Sequence, residues 1–210
     1  MLTSTNCLLA INNYYYPRGG AEVLFLEHNR LFENIGWQVV PFSMHHAKNL
    51  PTPWSNYFPD EIEFGADYSL AAKLIRAPRV IYSLQARRRM RGLLDAVEPR
   101  IAHVHNIYHH LSPSVLPLLK ERGIPIVMTL HDLKLACPAY TMMCGGEPCE
   151  RCRGGKLYNV ALHRCIKGSL ALSSLVMAEA YAHRALGLYS ANVDRFVAPS
   201  KFLLDKLVEW

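Results

Sequence analysis

Long apolar runs are missing from this chain. None approaches the roughly 20 residues that a membrane-spanning helix needs. The N-terminus has no basic segment followed by a long apolar region, so it does not read as a secretory signal. A cytoplasmic, reducing setting is the expectation. Charged residues are sparse, at 19% of 210, yet half of all residues are apolar, which excludes a disordered chain. Internal repeats and low-complexity tracts are absent, which excludes solenoids and linker-like architectures. Aromatic residues are not interleaved with the basic ones, and no nucleic-acid-binding motif occurs, so no nucleic-acid partner is expected.

What the chain does have is positive charge and clustered cysteine. Its 23 Lys and Arg against 17 Asp and Glu leave a formal charge of +6. That balance suits phosphate-bearing ligands and anionic membrane surfaces. Cys7 stands alone, whereas Cys137, Cys144, Cys149, Cys152 and Cys165 lie close together in sequence. In a reducing compartment such a cluster points to metal or plain thiols before disulfides.

Strand and helix patterns alternate along the chain. Asn6 to Ile11 reads as a buried parallel strand. Ala21 to Ile35 reads as a helix, with Leu24, Leu31 and Ile35 near one face and Gly36 as its stop. Trp37 to Met44 is a second strand. His45 to Asp67 is rich in Pro, aromatics and His without a period, the composition of an irregular binding loop. Tyr68 to Val97 reads as mainly helical with a break near Pro78. Strands follow at Arg100 to Asn106 and Pro125 to His131. Between them, Ser112 and Pro113 open a helix that Gly123 closes. After a cysteine-rich insertion, Ser169 to Leu188 forms an apolar-rich helix, Arg195 to Ala198 a short fifth strand, and Ser200 caps a last helix to Glu209. That helix is barely finished at Trp210, so the native chain is expected to continue. The alternation predicts an α/β fold: a Rossmann-like parallel sheet with helices on both faces and ligands outside the C-terminal strand ends.

Several residue groups fall at those strand ends. Pro17-Arg18-Gly19-Gly20-Ala21-Glu22 joins a strand to a helix start, where glycine lets backbone approach a ligand and free amides favour an anion. A tight turn that merely starts the helix is the other reading. His103 and His105 lie two apart and so share one face of a strand. Such a pair could suggest metal, but a strand inside a sheet rarely offers a complete metal shell, so His103 reads as core or cleft packing. His131 and Asp132 form a strand-end pair suited to binding, to a structural hydrogen bond, or, for Asp132, to capping the following turn. Cys149-x-x-Cys152 is a zinc half-site that Cys137 and Cys165 would complete, with Cys144 as competitor. Packed thiols and a redox pair are the alternatives. Arg87, Arg88, Arg89 and Arg91, with Lys73, Arg76 and Arg79 upstream, make a basic segment suited to anionic lipid or a phosphorylated ligand; a solvated helix face is the alternative.

Four features occur in order: the Pro17 to Glu22 loop, His103-Val104-His105-Asn106, Thr129-Leu130-His131-Asp132, and Ala198-Pro199-Ser200-Lys201-Phe202. Together they resemble the N-terminal half of a family-four (group 1) glycosyltransferase of the GT-B fold. The cysteine pattern, with Pro138, Tyr140, Gly154 and Gly155, resembles a bacterial subgroup of that family. The resemblance implies that residues 1–210 are the acceptor-side domain, and that a nucleotide-sugar-binding domain lies outside this chain. It implies retaining transfer from a nucleotide sugar to a glycan or lipid-linked acceptor in surface polysaccharide or glycolipid synthesis. Any membrane contact would be peripheral. By the same resemblance Gly19 and Gly20 approach the donor diphosphate and His131 holds the donor sugar. Arg18 beside the glycines would add a fixed positive charge there, with a solvated loop arginine as the other reading. Tyr16, His105, Asn106, Tyr108, Asp132, Ser200 and Lys201 line the acceptor side of the cleft. No catalytic metal is implied, and zinc on Cys137, Cys149, Cys152 and Cys165 would be structural. A non-catalytic Rossmann-like module for a nucleotide or other anion is the rival reading. A cysteine-based redox or iron–sulfur protein is a third.

Overall fold

The computed structural model describes residues 6–61 and 78–210. The chain divides into two units: Met1–Thr129 with Leu188–Val197, and Leu130–Gly187 with Ala198–Trp210.

The first unit is built on a five-stranded sheet. In chain order it contains β1 (Cys7–Ile11), α1 (Gly20–Asn34), β2 (Gln38–Phe42), α2 (Leu84–Ala96), β3 (Ile101–Val104), α3 (Val115–Glu121), β4 (Ile126–Thr129) and β5 (Arg195–Val197). All neighbouring strands are parallel, in the order β2-β1-β3-β4-β5. All five β1 residues are buried, as expected of a central strand covered on both faces. Strand order reverses between β1 and β3, so this is the switch point where a doubly wound sheet leaves a crevice. Leu8 and Ala10 meet Phe25 and Leu26 of α1, with Phe32, Trp37, Val39 and Ile101 at the margin. Right-handed crossovers carry α2 and α3 to the opposite face, and Met90, Leu93, Leu116 and Leu119 of those helices are wholly buried.

Helix boundaries follow local chemistry. Gly36 (φ 84°) and Gly123 (φ 69°) end α1 and α3 in the left-handed conformation that glycine adopts without Cβ strain. The inner face of α1 is Glu22, Phe25, Leu26 and Asn29, whereas Leu31 and Ile35 are exposed. The expected Leu24, Leu31 and Ile35 face is therefore corrected, because polar residues occupy part of the inward stripe. The helical segment expected from Tyr68 lies partly outside the described residues, as do Lys73 and Arg76. Its described part is helical at 78–81, breaks at 82–83 and resumes in α2, where the Ser83 hydroxyl accepts from the Ala86 amide at 3.1 Å. A break thus falls at this cap, four residues past Pro78, and the residues before Pro78 lie outside the described ones. Ser112 does not cap α3. Its φ is +60°, and its hydroxyl accepts from the amides of Ser83 (3.0 Å) and Ser114 (3.2 Å).

The second unit holds a short antiparallel hairpin, Met143–Cys144 with Glu147–Pro148, then α4 (Asn159–Leu162), α5 (Leu170–Ala185) and α6 (Lys201–Glu209). Gly145 and Gly146 form the hairpin turn at φ 63° and 86°. Ser169 and Ser200 cap their helices by accepting from Leu172 (3.3 Å) and Leu203 (3.2 Å). Among the described residues no helix is long and apolar enough to cross a membrane.

Candidate functional site

In the first unit the loops leaving β1 and β2 enclose a groove of roughly 630 Å³, lined by Tyr14, Tyr16, Pro17, Arg18, His46, Lys48 and Glu61. Its walls are tied to each other. The Arg18 guanidinium lies 4.2 Å from the centre of the Tyr14 ring, a cation–π contact. Burial pushes the Tyr14 phenol up, against the opposing pull of Arg18. His46 stacks on Tyr16 with centroids 4.6 Å apart and meets Tyr14 edge-on. The Lys48 amide donates to His46 Nδ1 at 3.0 Å, which leaves Nε2 as the protonated nitrogen, 3.7 Å from the Glu61 carboxylate. The groove thus offers flat aromatic surface, two cations, one carboxylate and an imidazole, a mixture suited to a polar ligand with apolar faces.

Beside this groove Gly19 is extended and α1 begins at Gly20 without a side-chain cap. Its first amides are free of intrahelical partners, as at any helix start. The Glu22 carboxylate folds back, so that a Cβ added at Gly19 would stand 3.4 Å from Oε2; Gly20 has nothing within 4 Å of the equivalent position. Gly20 is therefore the more open point for backbone approach.

Two buried asparagines hold the crevice edge. Asn12 Oδ1 accepts from the Asn106 amide at 3.1 Å, while its Nδ2 donates to the Tyr14 carbonyl at 2.8 Å. Asn13 Nδ2 donates to the Tyr108 carbonyl at 3.1 Å, and its backbone amide donates to the Asn106 carbonyl at 2.7 Å. The ends of β1 and β3 are thereby locked together at the switch point. Asn106 Oδ1 is buried and has no hydrogen-bond partner among the described residues.

His105 lies in the core. It is 1% exposed and packs edge-on to Phe25 at 5.1 Å, beneath α1. Its ring is core packing and not a cleft wall, because the face it shares with His103 is the one α1 covers. Tyr108 is likewise 7% exposed. The ligand nitrogens of His28, His103 and His105 all lie within 4.8 Å of one another, and His103 Nε2 is 2.8 Å from Thr129 Oγ1. His28 went unnoticed in the sequence because it sits alone on α1.

The strand expected to reach His131 ends at Thr129, and in the second unit His131 and Asp132 follow Leu130 and are half-buried. Asp132 Oδ1 accepts from the Lys134 amide at 2.8 Å, so this carboxylate does cap the next turn. Burial holds its pKa above the ordinary carboxylate value, with Lys134 pulling the other way. Ser200 is the α6 cap, and Lys201 is exposed and pairs with Asp205 at 2.7 Å one turn along. All cysteines are free thiols. Burial, with help from neighbouring thiols, pushes Cys152 up to about 12 and Cys165 to about 11.

The basic helix is α2. Arg87 pairs with Glu121 at 2.8 Å, which holds its guanidinium charge, and Arg89 donates to the Asn56 carbonyl at 3.1 Å. Arg88 and Arg91 are exposed. Leu93 and Leu94 face inward and are buried, so they give lipid no apolar stripe.

Of the groove residues, sequence reasoning singled out Tyr16 and Arg18. It missed His46, Lys48 and Glu61 individually, although their segment already stood out by composition. Asn12 and Asn13 carried no signal beyond their place at a strand end. A sequence profile of the family described as Glycosyltransferase Family 4 matches residues 18–210, and no curated protein matches the chain.

Proposed function

Because this chain belongs to glycosyltransferase family 4, we propose that it is the acceptor-side part of a retaining glycosyltransferase. The donor is a nucleotide sugar and the acceptor a glycan or lipid-linked glycan, in the synthesis of a bacterial surface polysaccharide or glycolipid. A second domain outside this chain supplies most donor contacts. The observation that carries this reading is the groove of Tyr14, Tyr16, Arg18, His46, Lys48 and Glu61 beside the Gly19-Gly20 loop. Aromatic rings suit the apolar faces of a sugar, and the polar groups suit its hydroxyls.

In this reading the Gly20 region brings backbone amides to the diphosphate, and Arg18 adds a fixed charge as negative charge develops on the leaving phosphate. His131 holds the donor sugar by hydrogen bonds. The bond between the anomeric carbon and the phosphate oxygen breaks, and a bond from that carbon to the acceptor oxygen forms on the same face. The acceptor proton passes to the leaving phosphate. The basic residues of α2, Arg88 and Arg91 among them, bring the protein to an anionic membrane surface where a lipid-linked acceptor resides.

The test is release of nucleoside diphosphate by the product of the complete native reading frame, offered a panel of nucleotide sugars with a lipid extract as acceptor. Acceptor-dependent release that falls at least tenfold in Arg18→Ala is expected. Nucleotide binding without turnover would overturn the enzyme reading in favour of a binding module.

A further inference from the structure

We infer that residues 137–165 fold around one structural zinc ion held by Cys137, Cys149, Cys152 and Cys165. These four thiols come from three separated stretches of chain, yet all line one small void of about 10 Å³, together with His163, Asn159 and neighbours. A void of that size is on the scale of a single bound atom or water. Cys144 is hydrogen-bonded to Cys165 but does not line the void. The structure therefore separates four ligands from a fifth thiol, which spacing in the sequence could not do.

The surroundings suit sulfur acting as an acceptor. The backbone amides of Ala139 and Met142 donate to the Cys137 sulfur, and that of Val160 to Cys152. Arg151 Nη1 approaches Cys149 Sγ at 3.6 Å. Amide donors and a guanidinium spread the charge of a four-thiolate site, the task that outer-shell groups perform around metals. Tyr140 and Met142 take positive φ values of 58° and 52°, which turns the chain around Cys137.

The local elements also need a cross-link. The hairpin has two residues per strand, and α4 has four residues. Neither length is stable alone in water. None of the cysteines forms a disulfide. Among the described residues only the three histidines have ligand atoms mutually within 4.8 Å, so the sulfurs stand further apart than bound ligands. Bonds of about 2.3 Å to zinc would draw them together. Four S–H bonds give up their protons to solvent as four S–Zn bonds form, so binding and tightening of this segment are coupled.

The experiment is elemental analysis of the purified chain under reducing conditions, followed by substitution with cobalt. One zinc per chain is expected. The cobalt form should show the intense visible bands of a tetrahedral thiolate site. Cys144→Ser should keep both, while Cys149→Ser and Cys152→Ser should weaken zinc binding at least tenfold. Should those two variants fail to fold, the wild-type spectrum and Cys144→Ser still decide. Bound iron with sulfide, absence of stoichiometric metal, or metal retained in the Cys152→Ser chain and lost in His28→Ala would each overturn the assignment. None of these outcomes depends on glycosyl transfer.

Discussion

Lys134 Nζ lies 3.0 Å from Glu179 Oε2, with 6% of the lysine side chain and none of the glutamate side chain exposed. The same ammonium donates to the Pro138 carbonyl at 2.9 Å. One cation thus ties the turn after His131 and Asp132 to α5. Within the second unit this bond connects a segment of proposed function to its longest helix.

Removing one member should be costly. Lys134→Met strips a buried carboxylate of its ammonium, and such losses run to about 3–5 kcal/mol. Lys134→Met combined with Glu179→Leu should recover most of that, since an apolar pair carries no desolvation cost. Urea unfolding of the two singles and the double tests this. A single variant as stable as wild type would show that the pair contributes nothing.

Asn12 is wholly buried, and its amide group is used at both ends. Asn12→Asp keeps an acceptor for the Asn106 amide but sets a carboxylate oxygen against the Tyr14 carbonyl. The expected cost is about 1–3 kcal/mol, the range for a buried polar group left unsatisfied. It should also loosen Tyr14, and with it the Arg18 contact. Denaturant midpoints measure the first effect, and Tyr14 fluorescence in a variant lacking other nearby tyrosines measures the second.

The contrast between Ser200 and Asn12 shows which features were legible beforehand. Ser200, Ser169, Gly36 and Gly123 act through neighbours a few residues away, so cap chemistry could be read directly. The parallel sheet with helices on both faces followed from alternation and handed crossovers. The inward face of α1 was misread because burial there depends on what β1 and β3 present: Glu22 and Asn29 are buried while Leu31 is 59% exposed. Asn12, His28 and His46 act across gaps of many residues, which no local pattern encodes. The cysteines fall between these cases. Their types and the Cys149-x-x-Cys152 spacing were visible, but only the fold distinguishes Cys165 from Cys144.

Asp132 gives a pH-dependent prediction. Its folded-state pKa is raised by burial. Stability associated with its protonated form is complete below the unfolded pKa and is lost as pH rises through the raised, folded value. At neutral pH the ionised carboxylate is therefore a cost to the fold. Asp132→Asn keeps an oxygen for the Lys134 amide and removes that cost. The variant should be more stable than wild type at pH 7, with the gain vanishing in acid below the unfolded carboxylate range. Thermal midpoints across pH would test this, and a gain that persists undiminished in acid would contradict it.

His131 separates activity from folding. It is half-buried in a stretch after β4 that belongs to no helix or strand, so truncation removes little packed surface. His131→Ala should change stability by no more than about 1 kcal/mol. Hydrogen bonds that strengthen as charge develops in a transition state are worth more; losing one such donor costs about 100-fold or more in turnover. Under the proposed function, the product of the native reading frame carrying His131→Ala should therefore lose about two orders of magnitude in turnover with nearly unchanged thermal midpoint. Because hydrogen bonding and not proton transfer is the assigned role, His131→Gln should recover part of the loss, and the pH dependence of its turnover should match wild type. Activity near wild type in His131→Ala would remove this residue from the donor site. A pH profile that flattens in the Gln variant would instead make it an acid–base group.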